Sequence, residues 1–285
     1  MSFVAGFLAD STVLKVVTYF LITFIISWGG VLAAVGFDGF PGTPDSFTSS
    51  IVVVVAAMLL GPSLSSIITT TLFNRSTGLR ELWQHFLTTH VSVRWYALAL
   101  FTAPVVVNIV LVALSTTSAV FRPGVFSVDS PLPHVVIGIA TGAAAGFFEE
   151  LGWTGVAIPE LRKRLSMFKT GLVVGLVWGL WHVLVVWWGS GETAGIVPTS
   201  LYVPAMSFVF LVPYRILMVW VHDRTHSLLI AMLMHGSLTA SVRIFDPVPI
   251  SDWPIIQYNV LLGAGFCLAV IVVFFFSRLR PRLER

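Results

Sequence analysis

Apolar residues in this chain come in long, nearly unbroken runs, and polar residues collect in the short stretches between them. Eight runs stand out: about Val13–Phe37, Ile51–Phe73, Trp95–Ala119, Pro133–Leu151, Thr170–Trp188, Ser200–Val221, Ser227–Phe245 and Trp253–Ser277. Each is close to the ~20 residues that an α-helix needs to cross ~30 Å of hydrocarbon. A ninth segment has a different rhythm. Leu79, Leu82, Trp83, Phe86 and Leu87 recur at helical spacing, with Arg80, Glu81, Gln84 and His85 on the other face. That pattern predicts an amphipathic helix lying in the membrane interface. The pattern as a whole predicts an all-α polytopic membrane protein with about eight transmembrane helices and one interfacial helix. Residues 1–285 form a single integral membrane domain in this reading, with no repeat and no soluble domain.

Composition agrees: 56% of the residues are hydrophobic and 10% are charged. The net charge of +3 is therefore no argument for nucleic acid, and no nucleic-acid partner is expected. The distribution of basic residues says more. With the N-terminus placed in the cytoplasm, only Arg122 and Arg243 of the 16 lysines and arginines fall in outer segments, and Arg215 falls within a run. All the others, from Lys15 to Arg285, lie on the inner side, which supports both the eight-span count and cytoplasmic termini. The first run is longer than a signal-peptide core and reads as a retained helix. Cys267 is the single cysteine, so no intramolecular disulfide or cysteine-based zinc site is available.

Candidate chemistry enters with the few ionisable residues inside the runs, which are costly in a bilayer and usually functional. Glu149 and Glu150 end the fourth run, and His182 and His235 each sit alone on a later one. With alternating directions, His182 lies roughly 18 Å and His235 roughly 12 Å in from the inner side, at 1.5 Å per residue. The acids are near the inner end of their own run, so all four residues can share the inner half of the membrane. Adjacent helical residues point ~100° apart, so one glutamate is expected to face a cavity and the other to pack or reach the interface. A desolvated carboxylate is suited to take a proton from water, and an imidazole can orient that water, donate a proton or bind a metal. The bland alternative is a pair of interfacial acids that bind the basic loop Arg162-Lys163-Arg164. Trp178 precedes His182 by one turn, and Thr239 follows His235 by one turn and could add a hydroxyl.

The segment Glu149-Glu150-Leu151-Gly152-Trp153-Thr154-Gly155, followed by Ile158-Pro159-Glu160-Leu161, resembles the first motif of the CAAX-protease and bacteriocin-processing family of intramembrane proteases. That motif is two glutamates, three residues, then usually arginine. Trp178 to His182 resembles the second motif, which usually begins with phenylalanine. His235 to Thr239 resembles the third, a histidine followed four residues on by asparagine or a similar residue. The motif-bearing core spans about residues 133–245. The resemblance implies a cytoplasm-facing site in which Glu149 activates water with help from His182, and Glu150 supports. His235 and Thr239 would orient water or stabilise an oxyanion. It also implies an integral protein of a plasma membrane, bacterial by this resemblance. Partners would be the lipid bilayer and a peptide or membrane-protein substrate. A divalent metal such as zinc is left open, with Glu149, His182 and His235 as its ligands if present. Thr154 stands where arginine is usual and Thr239 where asparagine is usual. Arg215 and Asn108, both within runs, are candidate substitutes, although Arg215 could equally snorkel to the interface.

Other readings are weaker. There is no His-Glu-x-x-His, no Gly-x-Ser-Gly on a run, and no aspartate inside any run, which argues against three other intramembrane protease types. A proton-coupled transporter would be expected to show related halves, and none is found. A non-catalytic membrane scaffold or bacteriocin-immunity protein with a degraded site is the main alternative, because of Thr154 and Thr239.

Overall fold

The computed structural model describes residues 11–86 and 88–283, without the side chains of Ser76, Glu192 and residues 276–283. Its helices are α1 (Ser11–Val35), α2 (Pro44–Phe86), α3 (Val93–Ser115), α4 (Pro131–Gly152), α5 (Ile158–Arg162), α6 (Met167–Thr193), α7 (Thr199–Phe208), α8 (Leu211–Thr225), α9 (Leu228–Phe245) and α10 (Asp252–Leu283). Helix α4 runs into α5 through a π-helical turn at Trp153–Ala157. Helices α7 and α8 share one crossing, Thr199–Thr225. They are separate because Pro213, near the start of α8, has no N–H for the carbonyl of Val209 and its ring crowds the preceding turn.

Among the described residues, eight stretches are long and apolar enough to cross a membrane, each overlapping one of the sequence runs. The protein is an integral membrane protein. Large apolar side chains such as Val52, Ile25 and Ile109 stand exposed on its outer surface, where lipid would meet them. Cys267 is exposed in the same way. The helices extend past the apolar runs, so the crossings take in Asp45, Asp223 and Asp252 at their ends, residues that the sequence runs leave outside.

Ion pairs at one face and hydrogen bonds at the other tie the alternating helix ends together. Lys15 at the start of α1 binds Glu160 at 2.8 Å and Asn74 of α2 at 2.6 Å. Lys163 joins Glu160 at 2.6 Å, and Arg162 grips both oxygens of Asp223, at the end of α8. At the other face, Tyr258 donates to Asp246 at 2.6 Å and His134 Nε2–H donates to the carbonyl of Ile244 at 3.2 Å.

The amphipathic stretch is present but is continuous with α2. Only Arg75, at φ 51 and ψ −145, breaks the helix, which marks a sharp change of direction. Its polar residues Arg80, Glu81, Gln84 and His85 are exposed, and so is Trp83. Leu82 and Phe86 instead cover protein: Leu82 lies over Gly155, and Phe86 meets Phe147 edge-on at 6.2 Å. Leu87 lies outside the described residues, as does Arg285.

Two glycine ladders decide where the core helices touch. Gly138, Gly142 and Gly146 recur every fourth residue on α4, facing α9. A side-chain carbon at Gly142 would sit 2.4 Å from the carbonyl oxygen of Gly236, and one at Gly146 2.3 Å from that of Met232. Gly171, Gly175 and Gly179 repeat the device on α6 against α7 and α8, with Gly171 2.7 Å from Ile216 Cα by the same measure. Small residues at this spacing let membrane helices approach backbone to backbone. Prolines inside α2 and α3 free one carbonyl each, and in lipid a freed carbonyl needs a partner. Ser237 Oγ donates to Leu100 O, freed by Pro104, at 2.7 Å. Ser27 Oγ lies 3.5 Å from Met58 O, freed by Pro62, and 3.2 Å from Ala57 O.

Candidate active site

The last turn of α4 carries Glu149 and Glu150, both buried. Helix α6 supplies Trp178 and His182, α8 supplies Arg215, and α9 supplies His235. The first ladder brings α9 against α4, and the second brings α8 against α6. The chemical groups therefore meet because glycines allow their backbones to.

Glu150 is the anchor. Nη1 of Arg215 lies 2.9 Å from both of its carboxylate oxygens, and both residues are 0% exposed. Thr154, one turn on, donates its hydroxyl to Oε2. Nδ1 of His235 is 2.6 Å from Oε1. A carboxylate held by a guanidinium and a hydroxyl can only accept, so Nδ1 of His235 carries the proton and Nε2 of the neutral ring keeps its lone pair. That Nε2 lies 3.9 Å from Oε2 of Glu149. The two acids thus flank one imidazole from opposite ring nitrogens, although they diverge along the helix.

Glu149 Oε2 accepts from Trp178 Nε1 at 2.9 Å, which leaves Oε1 outside these contacts. His182 lies half-buried beside it, with Nδ1 2.9 Å from the carbonyl of Trp178. A carbonyl only accepts, so Nδ1–H donates and Nε2 of the neutral ring is the free acceptor. Trp178 is the hub of the group. Its ring lies 5.3 Å from His182, 5.1 Å from His235 and 4.1 Å below the guanidinium carbon of Arg215.

The other sequence candidates lie around this group or away from it. Thr239 is half-buried one turn beyond His235 and enters none of these contacts. Asn108 donates to Pro104 O in its own helix at 2.8 Å. Arg215 does not snorkel; it is the cation that meets the acid pair. Arg162 and Lys163 of the basic loop pair elsewhere, Arg162 with Asp223 and Lys163 with Glu160. A groove of about 350 Å³ lies beside the site, lined by Leu100 and Pro104 of α3, Ala143 of α4, and Met232, Gly236 and Ser237 of α9 among others. Glu149, His182 and His235 are not part of its lining.

Among the described residues no three His, Cys, Asp or Glu side chains gather closely enough to hold a metal ion. Glu149, His182 and His235 therefore do not fit a preformed metal site.

Residues 131–241, which hold every group in this cluster, match the family described as type II CAAX prenyl endopeptidase Rce1-like. This part of the chain is similar to the CAAX-protease family. One relative, the CAAX prenyl protease 2 of Methanococcus maripaludis, is 26% identical over 132 residues. The similarity covers 46% of this chain and 46% of that protein, so the match spans about half the length of each. Within this matched segment, α4 with its π turn, α6, α8 and α9 supply the side chains of the cluster. The acids and histidines are plain in the sequence. The glycine ladders are there too, as a spacing of four on apolar runs, a signal that carries no ionisable residue to draw attention to it.

Proposed function

We propose that this chain is an intramembrane endopeptidase that hydrolyses a peptide bond in a peptide or membrane-protein segment, at a site open to the cytoplasmic side. The observation that carries this reading is the convergence of Glu149 and Glu150 of α4 and Trp178 of α6 on His235 of α9, with Glu150 at 2.6 Å, Glu149 at 3.9 Å and the Trp178 ring at 5.1 Å. Structural packing alone gives no reason to bury two acids and two histidines together, because each polar group costs stability unless paired.

In the proposed reaction, Glu149 takes a proton from water as the water oxygen attacks the scissile carbonyl. General-base assistance of this kind contributes about 10²–10⁴-fold. Trp178 fixes one oxygen of Glu149 so that the other faces the water. The water's second hydrogen is donated to an Nε2 lone pair, that of His182 or that of His235, which orients it. Glu149 then returns its proton to the leaving amine, which closes the proton balance. Thr239 is the hydroxyl proposed to donate to the oxyanion of the tetrahedral intermediate. The matched relative is named a CAAX prenyl protease. A lipidated peptide is thus one member of the proposed substrate class.

The test is a comparison of membrane-peptide profiles from cells carrying wild type and Glu149→Gln. The amide keeps the Trp178 hydrogen bond but cannot act as base, so cleavage products should disappear while the protein level holds. If no peptide differs, and both versions rescue a gene-loss phenotype equally, the chain is a membrane scaffold that retains the family's fold.

A further inference from the structure

The family's first motif places arginine four residues after the second glutamate, and this chain has Thr154 there. We propose that Arg215 is the relocated cation of that motif: a positioning residue on α8 that holds Glu150 ionised and thereby fixes the proton of His235 on Nδ1. The proposal rests on the protease reading only for its rate measurement.

Position 154 still addresses Glu150, because the Thr154 hydroxyl donates to Oε2. A hydroxyl brings no charge, however, and a buried carboxylate without a cation takes up a proton. Arg215 reaches the same carboxylate from another helix, with Nη1 2.9 Å from each oxygen. It can do so because α6 is bare where α8 crosses it. A side-chain carbon at Gly175 would lie 3.1 Å from Val212 Cα and 3.4 Å from Arg215 Cβ. The guanidinium is also stacked over Trp178, the residue that donates to Glu149. One side chain therefore sets both acids: it pairs with Glu150 directly and braces the donor of Glu149. Among the described residues its Nε and Nη2 have no hydrogen-bond partner and are buried, so a single nitrogen carries the contact. That is the contact an arginine at position 154 would supply from within α4 and its π turn.

The experiment compares wild type, Arg215→Met, Thr154→Arg with Arg215→Met, and Thr154→Ala, each purified in detergent. Three quantities are read: thermal midpoint, the ring-nitrogen NMR signals of labelled His235, and the rate of cleavage of a peptide found by the Glu149→Gln comparison. Arg215→Met removes one partner of a fully buried pair, so it should lower the midpoint, move the His235 signals away from the Nδ1–H form, and cost about 100-fold or more in rate. The double variant should recover all three, because the cation is restored from the motif's usual position. If Arg215→Met does not fold, recovery of folding by the double variant supports the proposal. It is overturned if Arg215→Met keeps the wild-type midpoint and His235 signals. It is equally overturned if the double variant does no better than Arg215→Met while Thr154→Ala folds. Should wild type cleave nothing, the protease reading fails, and the midpoint and the nitrogen signals still decide the role of Arg215.

Discussion

Gly142→Ala is the smallest change that tests how the site is assembled. The new methyl would lie 2.4 Å from Gly236 O, 2.9 Å from Ala240 Cβ and 3.0 Å from Ala240 N. Two of these are backbone atoms of α9 and cannot rotate away. Ordinary contact begins at roughly 3.5 Å, so α4 and α9 must part by about 1 Å. His235 neighbours Gly236 in sequence and moves with it. Its bond to Glu150, now 2.6 Å, would stretch to about 3.6 Å, beyond the range of a hydrogen bond. Overpacking costs about 1–3 kcal/mol and a lost charge-assisted bond about 1.5–3 kcal/mol. The expected fall in thermal midpoint is on the order of 10 °C, together with loss of cleavage. Gly29→Ala is the control, since nothing lies within 4 Å of the added carbon. It should be neutral or slightly stabilising. Equal melting of the two variants would refute the role of the ladder in packing. If Gly142→Ala melts low but cleaves at the wild-type rate, the ladder holds the fold without setting the site.

Three further outcomes rest on single contacts. Ser237→Ala leaves Leu100 O without its partner, and should cost about 0.6–2 kcal/mol, read as a lowered midpoint with an unchanged cleavage rate. Thr239→Val should lose about 10²–10³ in rate at similar stability if its hydroxyl is the oxyanion donor, while Thr239→Asn retains or raises turnover; an unchanged rate in Thr239→Val would remove that role. Burial pushes the Asp246 carboxyl up to about 7, against the opposing effects of the Tyr258 hydrogen bond and Arg243. A carboxyl raised on folding favours the folded state most below its ordinary value near 3.8, and that advantage is lost as pH rises to about 7. Asp246→Asn should therefore melt higher than wild type at pH 8 and show a flatter dependence between pH 4 and 7; equal midpoints at pH 8 would contradict the account.

The helices were easy to read because lipid demands long apolar runs and hides nothing about them. Residues 76–86 show the limit of that reading. Their periodicity reveals an amphipathic helix, but whether Leu82 and Phe86 meet lipid or protein depends on Gly155 and Phe147, far away in sequence. The acids and histidines were legible for the same reason as the runs: an ionisable group inside hydrocarbon stands out. Their partners were less so. Periodicity says that Glu149 and Glu150 diverge, and they do. It could not say that both would end beside His235, since that depends on how close α9 comes. Arg215 was visible as a lone cation in an apolar run, yet its length allowed two destinations, and only the bare surface of α6 at Gly171 and Gly175 selects the inward one.

The π turn at Trp153–Ala157 has a consequence for how this region can change. A π turn is an α-helix with one residue too many, so it offsets the angular phase of the next helical segment by roughly 100°. Before it, α4 answers to the acid pair; after it, α5 answers to Lys15, Lys163 and Asp223 through Glu160 and Arg162. The extra residue uncouples the two rotational settings, much as a splice joins two threads cut to different pitch. Removing one residue from 153–157 would restore a regular helix and turn either the glutamates or the ion pairs away from their partners. Substitutions on one side leave the other in register.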